Sequence, residues 1–128
     1  MKLLLDTHIL LWAAADSSQL GNKARKLLLS GNTQLFFSSA SIWEVAIKQG
    51  LGRADFQVDP RLLRRGLLNN GYTELPVTGE HAVETNALPD LHKDPFDRIL
   101  IAQANVEGMK LVTADHRVAQ YPGKILKV

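Results

Sequence analysis

Apolar positions along the chain alternate between short unbroken runs and longer stretches with helical periodicity. Lys2 to Leu5 is a run of the first kind, suited to a strand buried on both faces. His8 to Ala15 continues at helical spacing until Ser17-Ser18 breaks it. Leu20, Ala24, Leu27 and Leu28 mark the inner face of a second helix, which Ser30-Gly31-Asn32 ends. Gln34 to Phe37 predicts a second strand. Ser38, Ser39 and Ser41 offer N-caps for a helix running to Gln49, and Gly50 is a natural stop.

Asp59-Pro60 opens the next helix with a cap followed by proline at the first helical position, where its missing N–H costs nothing. Leu62, Leu63 and Leu67 form its inner face, Arg61, Arg64 and Arg65 its outer one, and Asn69-Asn70-Gly71 closes it. Tyr72 to Val77 predicts a strand interrupted by Pro76. Thr78-Gly79-Glu80 then opens a helix through Leu88. Asp94-Pro95 starts the most apolar helix, which ends at Gly108. Lys110 to Thr113 is a strand, Ala114-Asp115-His116 a turn, and Ile125 to Lys127 a last short strand. Strands alternating with helices imply βαβ units. The expected fold is therefore a three-layer α/β/α sandwich around a central, mainly parallel sheet, in one domain over residues 1–128.

One residue breaks the pattern of the apolar helix. Arg98 and Asn105 share a narrow face that can reach solvent, but Asp97 falls between Ala104 and Ile101, inside the apolar arc. A carboxylate there is costly unless a cation, a helix N-terminus or hydrogen bonds compensate it. As the third helical residue, Asp97 also fits a plain first-turn cap.

Composition narrows the chemistry. A chain of 128 residues with 45% hydrophobic and 22% charged positions can bury a core without staples and is not disordered. It has no cysteine, which excludes disulfides, thiolate zinc sites and a cysteine nucleophile and fits a reducing cytoplasm. A net charge of +2 declares no global field for nucleic acid, so any such binding must be local. Asp6 and His8 interrupt the N-terminal apolar run, so no export signal is read. No stretch approaches the roughly 18 apolar residues of a membrane span.

In parallel sheets, ligands bind beyond the carboxyl ends of the strands. Asp6 ends the first strand and Asp115 follows the Lys110–Thr113 strand. Glu44 lies early in the helix after the second strand, and Asp97 opens the apolar helix, so four distant acids are placed toward one rim. Each has a local account. Asp6 and Asp115 suit N-caps, and Ser41 with Glu44 fits a capping box. Glu44 also forms a favourable i,i+4 pair with Lys48. Convergence is what these accounts leave unexplained: clustered carboxylates repel, and their pKa values rise, unless a cation sits among them. All-oxygen ligation suits Mg²⁺ or Mn²⁺. His8, His81, His92 and His116 lack metal-binding spacing and read as surface or capping residues, with His116 beside Asp115 and placed to contact a phosphate. Phosphate-loop, dinucleotide and nucleophile-elbow motifs are absent.

LLLDTHILLW, SSASIWEVAIKQGLG, HKDPFDRILIAQA and LVTAD, in this order and spacing, resemble the PIN-domain family and within it the VapC-type toxins of toxin–antitoxin pairs. The resemblance covers essentially the whole chain. It implies a Rossmann-like sandwich and a Mg²⁺- or Mn²⁺-dependent endoribonuclease that inhibits translation and growth. By motif position the acidic quartet is Asp6, Glu44, Asp97 and Asp115, acting as metal-holding and catalytic residues. Thr7 and Thr113 match hydroxyl positions beside it, Asp94 is a further acid read as a cap or outer support, and Ser39 and Ser41 are among the hydroxyls approaching Glu44. Water rather than the ribose 2′-hydroxyl attacks, leaving 5′-phosphate and 3′-hydroxyl ends. The implied partners are RNA, a small antitoxin whose arm blocks the site, and a second copy of the chain. Arg61, Arg64 and Arg65 are candidates for RNA phosphates, followed by Lys48, Arg53, Lys93 and Arg98, although a solvated charged face is the plainer account.

Other classes compete. A haloacid-dehalogenase-like phosphatase needs a second Asp two residues after Asp6, where His8 stands. A receiver-like phosphoacceptor needs a paired acid at the end of the first strand. A non-catalytic interaction module that keeps an acidic rim is the alternative of a different kind, and metal-dependent RNA cleavage separates it from the enzyme.

Overall fold

A computed structural model describes residues 1–128, and its centre is the strand predicted first. The elements in chain order are β1 (Lys2–Leu5), α1 (Thr7–Ala14), α2 (Asn22–Leu28), β2 (Gln34–Ser38), α3 (Ser39–Gly50), α4 (Pro60–Asn69) and β3 (Thr73–Leu75). There follow α5 (Gly79–Glu84), α6 (Pro95–Glu107), β4 (Lys110–Thr113), α7 (His116–Ala119) and β5 (Ile125–Lys127). All strand pairings are parallel, in the order β3-β2-β1-β4-β5. This is the expected α/β/α sandwich.

Alternation along β1 builds the two cores. Leu3 and Leu5 face one side with Ile9, Leu10 and Ala24, while Leu4 faces the other with Leu100, Ile101 and Leu111. All three β1 leucines are fully buried, which contributes roughly 1.5–3 kcal/mol each. Residues of α1, α2 and α4 therefore cover one face, and residues of α6 and α7 the other. No helix is long and apolar enough to cross a membrane.

The strand order places a topological switch between β1 and β4. From β1 the chain steps outward to β2 and β3, then returns to the other side of β1 as β4 and β5. The connections leaving β1 and β4 diverge to opposite faces, which opens a crevice at their carboxyl ends. Asp6 and Thr113 occupy those ends.

Several local expectations are corrected. The α3 cap is Ser38, whose hydroxyl accepts from Ala40 N at 3.0 Å; Ser41 lies inside the helix, so the Ser41–Glu44 capping box does not form. Leu62 is exposed, because the inner arc of α4 is narrow enough for Leu63 and Leu67 to fill. The helix after Thr78 ends at Glu84 and tightens into a 3-10 turn at Thr85–Ala87. The turn after β4 is a one-turn helix capped by Asp115. His81, read as surface or capping, is a fully buried cap: Thr78 N donates to its Nδ1, and its Nε2 lies 2.7 Å from Glu107 Oε2, tying α5 to α6.

Candidate active site

Asp6 stands where β1 becomes α1, and its use differs from that of an ordinary cap. It occupies the N-cap position of α1, yet its side chain makes no capping bond. Asp59, Asp94 and Asp115, by contrast, each accept backbone N–H groups at the starts of α4, α6 and α7. The Asp6 carboxylate instead accepts from Thr113 Oγ1 at 2.6 Å, across the crevice. That hydroxyl in turn accepts from Asp115 N at 3.0 Å. Burial pushes the Asp6 carboxyl up, and the Glu44 charge adds to this, against the Thr113 hydroxyl, the His8 ring and the Thr7 backbone N–H.

α3 brings the second acid. Ser38 caps the helix, Thr7 Oγ1 donates to Ser41 Oγ at 2.8 Å, and Ser39 Oγ accepts from Val77 N at 3.2 Å. These bonds pin the first turn of α3 to the start of α1 and to the chain leaving β3. Glu44, one turn on, is buried, and Lys48 Nζ sits 2.9 Å from its Oε2 as the expected i,i+4 pair.

α6 brings the third. Asp94 Oδ1 accepts from Phe96 N at 2.9 Å and from Asp97 N at 3.4 Å, so Asp94 is the cap. Asp97 is thereby released from capping, and His92 Nε2 lies 3.1 Å from its Oδ2. Its pKa is pushed up to about 6, first by burial, then by the charges of Asp6 and Asp94, with His92 opposing. The charge of Glu44 thus acts on Asp6, and the charges of Asp6 and Asp94 act on Asp97.

Asp115 behaves differently. Burial raises its carboxyl, but the Arg117 backbone N–H and guanidinium outweigh that and hold it below the usual carboxylate range. Its Oδ1 accepts from Arg117 N at 2.8 Å and its Oδ2 from Arg117 Nη2 at 3.3 Å. The expectation of raised carboxyls is met at Asp6 and Asp97 and fails at Asp115, because a cap and a cation already serve this one.

The test of fit for a divalent ion is therefore one of donor chemistry. Burial and neighbouring carboxylate charge raise the Asp6 and Asp97 carboxyls, and all their donors are oxygen, which suits a hard cation. No group of three or more carboxylate or imidazole side chains lies close enough to enclose an ion. The chemistry fits; the side chains stand open rather than closed around a point.

The basic candidates are mostly committed. Arg64 makes two bonds to Glu74, at 2.7 and 3.0 Å, and Arg53 pairs with Asp55. Arg98 does not reach out to solvent as its helical face suggested. Its guanidinium donates to Pro89 O at 2.9 Å, Thr85 O at 3.1 Å and the Tyr121 hydroxyl at 3.1 Å. Arg61, Arg65, Lys93 and His116 are exposed. Two neighbours of the site escaped sequence reasoning, His92 and Tyr121. His92 shows no metal-binding spacing, and its contact with Asp97 depends on the path of the loop before α6.

The comparisons agree on the fold. A model of the PIN domain matches residues 3–124. Among solved structures, VapBC2 from Rickettsia felis bound to a DNA fragment from its promoter superposes with a TM-score of 0.71 at 17% identity, covering 99% of this chain and 98% of that one. VapBC-1 from nontypeable Haemophilus influenzae gives a TM-score of 0.63 at 18% identity, covering 99% and 98%. VapC20 from Mycobacterium tuberculosis, described as a Sarcin-Ricin loop cleaving toxin, gives a TM-score of 0.62 at 18% identity, covering 94% and 96%. No curated protein sequence matches the chain. With its model matched over nearly the whole length, on a parallel sheet whose central crevice holds Asp6, this chain belongs to the PIN domain family.

Proposed function

We propose that this chain is a divalent-metal-dependent endoribonuclease, acting in the cytoplasm as the toxin of a toxin–antitoxin pair. The observation that carries the reading is Asp6: a buried carboxylate at the β1–β4 switch whose side chain makes no capping bond and whose charge acts on Asp97. The description of the Mycobacterium tuberculosis protein as a Sarcin-Ricin loop cleaving toxin supports the substrate class. The toxin–antitoxin complexes among the structural neighbours support the partner.

Asp6 and Asp97 are the inner residues that would hold Mg²⁺ or Mn²⁺, with Glu44 and Asp115 ligating or orienting water. When bound, such an ion activates water and neutralises charge on the phosphodiester. Water attacks phosphorus, the bond to the 3′-oxygen breaks, and the products are a 5′-phosphate and a 3′-hydroxyl. Thr113 keeps the Asp6 carboxylate in place through its 2.6 Å bond, and Thr7 and Ser41 do the same for the first turn of α3. Lys48 occupies Glu44 until an ion competes for that carboxylate.

Asp6→Asn and Asp97→Asn are each expected to reduce Mn²⁺-dependent cleavage of RNA to the level of a no-protein control, with native circular dichroism, and chelator should do the same to the wild type. Full activity in either variant removes the nuclease from this site and leaves an interaction module.

Asp97 also sets a pH dependence. Its folded pKa of about 6 lies above the roughly 3.9 of an unfolded chain, so the metal-free fold loses stability as pH rises between those values. Above that window the penalty is complete. In chelator at pH 7.5, Asp97→Asn should be more stable by on the order of 1–2 kcal/mol, after allowance for the solvent that reaches the carboxylate. The difference should vanish near pH 3.5. Mn²⁺ at a hundred times its dissociation constant should stabilise the wild type by roughly 2.7 kcal/mol and the variant far less. Urea titrations showing a variant no more stable than wild type at pH 7.5 would return Asp97 to a helix-end role.

Substrate contact falls to the exposed cations Arg61, Arg65 and Lys93. Replacing Arg61 and Arg65 should flatten the log–log salt dependence of RNA affinity by about 0.7 per lost phosphate contact, and Arg64, held by Glu74, should matter less. An unchanged slope makes the stripe ordinary surface.

A second copy of the chain is the partner proposed for the outer face of α3. Trp43 is 63% exposed there with Ile47 and Leu51 also exposed, an apolar stripe one helical turn apart. Light scattering should give a dimer for the wild type and a monomer for Trp43→Asp, and a small antitoxin added to the wild type should abolish cleavage. A wild-type monomer at all concentrations, or cleavage unaffected by antitoxin, counts against the respective partner.

A further inference from the structure

Beside Asp97 lies a closed set of polar groups that the proposed chemistry has not used. His92 Nε2 is 3.1 Å from Asp97 Oδ2, and its Nδ1 is 2.8 Å from the Tyr121 hydroxyl. The same hydroxyl accepts from His92 N at 3.1 Å and from Arg98 Nη1 at 3.1 Å. The His92 and Asp97 side chains are 9% and 15% exposed, so solvent competes little for these bonds.

Counting donors fixes the direction of each bond. An ionised carboxylate only accepts, so the hydrogen between His92 and Asp97 belongs to Nε2. Tyr121 oxygen has two lone pairs and one hydrogen. The two N–H donors fill the lone pairs, and the hydroxyl hydrogen goes to Nδ1, its shortest contact. The competing acceptor, the His92 carbonyl, is farther at 3.2 Å and is also reached by Arg98 Nη1. The imidazole is thus held as its Nε2–H tautomer. Arg98 is in turn anchored on Pro89 O and Thr85 O, which fixes the loop that carries His92 against the first turn of α6.

We propose that His92 is a positioning residue for Asp97: its Nε2–H, fixed by Tyr121 and Arg98, holds Oδ2 and leaves Oδ1 for a divalent cation. The inference rests on the reading of Asp97 as a metal-holding carboxylate. A ligating carboxylate that is itself hydrogen-bonded does not have to be oriented at the moment of binding, and loss of such an outer partner typically weakens metal affinity by about 10–100-fold. A role confined to tying the loop to α6 predicts lower stability with unchanged affinity.

The experiment is a calorimetric Mn²⁺ titration at pH 7.5 of the wild type, His92→Ala, His92→Gln and Tyr121→Phe, with thermal melts of each and nitrogen NMR of the metal-free wild-type imidazoles. The NMR should show His92 protonated at Nε2 and not at Nδ1. His92→Ala should bind Mn²⁺ about 10–100-fold more weakly. His92→Gln, which keeps an N–H at a comparable reach, should recover most of that loss, and Tyr121→Phe should fall between. A wild type that binds Mn²⁺ beside a His92→Ala variant that binds equally well overturns the inference alone, as does a hydrogen found on Nδ1. A wild type that binds no Mn²⁺ overturns the metal reading of Asp97 as well. If His92→Ala does not fold, the comparison of wild type with His92→Gln and Tyr121→Phe decides.

Discussion

The bond from the Thr113 hydroxyl to Asp6 Oδ2, 2.6 Å long and joining residues 107 positions apart, is the constraint on which the site depends. Both partners are buried, so water competes little for the bond. It forms only if β1 and β4 lie side by side in parallel register, since Asp6 and Thr113 directly follow the paired residues Leu5 and Val112. Asp6 N donates to Val112 O at 2.9 Å and extends that ladder one step further. A register slip of one residue would turn Leu3 and Leu5 out of their core and remove Asp6 from the crevice together. Core packing and site geometry are thus specified by the same strand pair.

What the chain reveals in advance follows from the range of the interactions involved. The buried strands and the Asp-Pro starts of α4 and α6 are local signals, written in consecutive residues, and the structure reproduces them. Ambiguity enters where several residues compete for one role. Three serines compete to start α3, and only the geometry of the strand exit selects Ser38. Leu62 has helical spacing appropriate to an inner face, but a narrow arc leaves it outside. The one-turn α7 is shorter than any periodicity can register. In the site, Asp6 and Asp97 were visible as carboxylates in the wrong surroundings, one ending an apolar strand and one inside an apolar arc. His92, Tyr121 and the inward commitment of Arg98 were not visible, because they depend on where the 88–94 loop lies in space.

The acids also separate into two kinds by what their oxygens already do. Asp94 and Asp115 accept backbone N–H groups, and for Asp115 the Arg117 guanidinium adds to the N–H bond in holding its carboxyl below the usual range. Asp6 and Asp97 accept instead from side chains, a hydroxyl and an imidazole, and their carboxyls are pushed up by burial and by neighbouring charge. The cap account of the acidic rim therefore holds for one pair and fails for the other.

That division matches the roles proposed within the rim. A carboxylate whose oxygens are taken by a helix end and a guanidinium must give up those bonds to bind an ion, so Asp115 is suited to orienting water or substrate from the edge. A carboxylate with one oxygen held and one free gains from an ion without losing what positions it, and Asp97 has that form. Asp6 reaches the same state through Thr113. Asp94, by capping α6, frees the acid three residues on from that duty and adds its own charge to the repulsion that a cation would relieve. Taken alone the α6 start resembles an ordinary helix cap; beside Asp6 it becomes half of the proposed metal site.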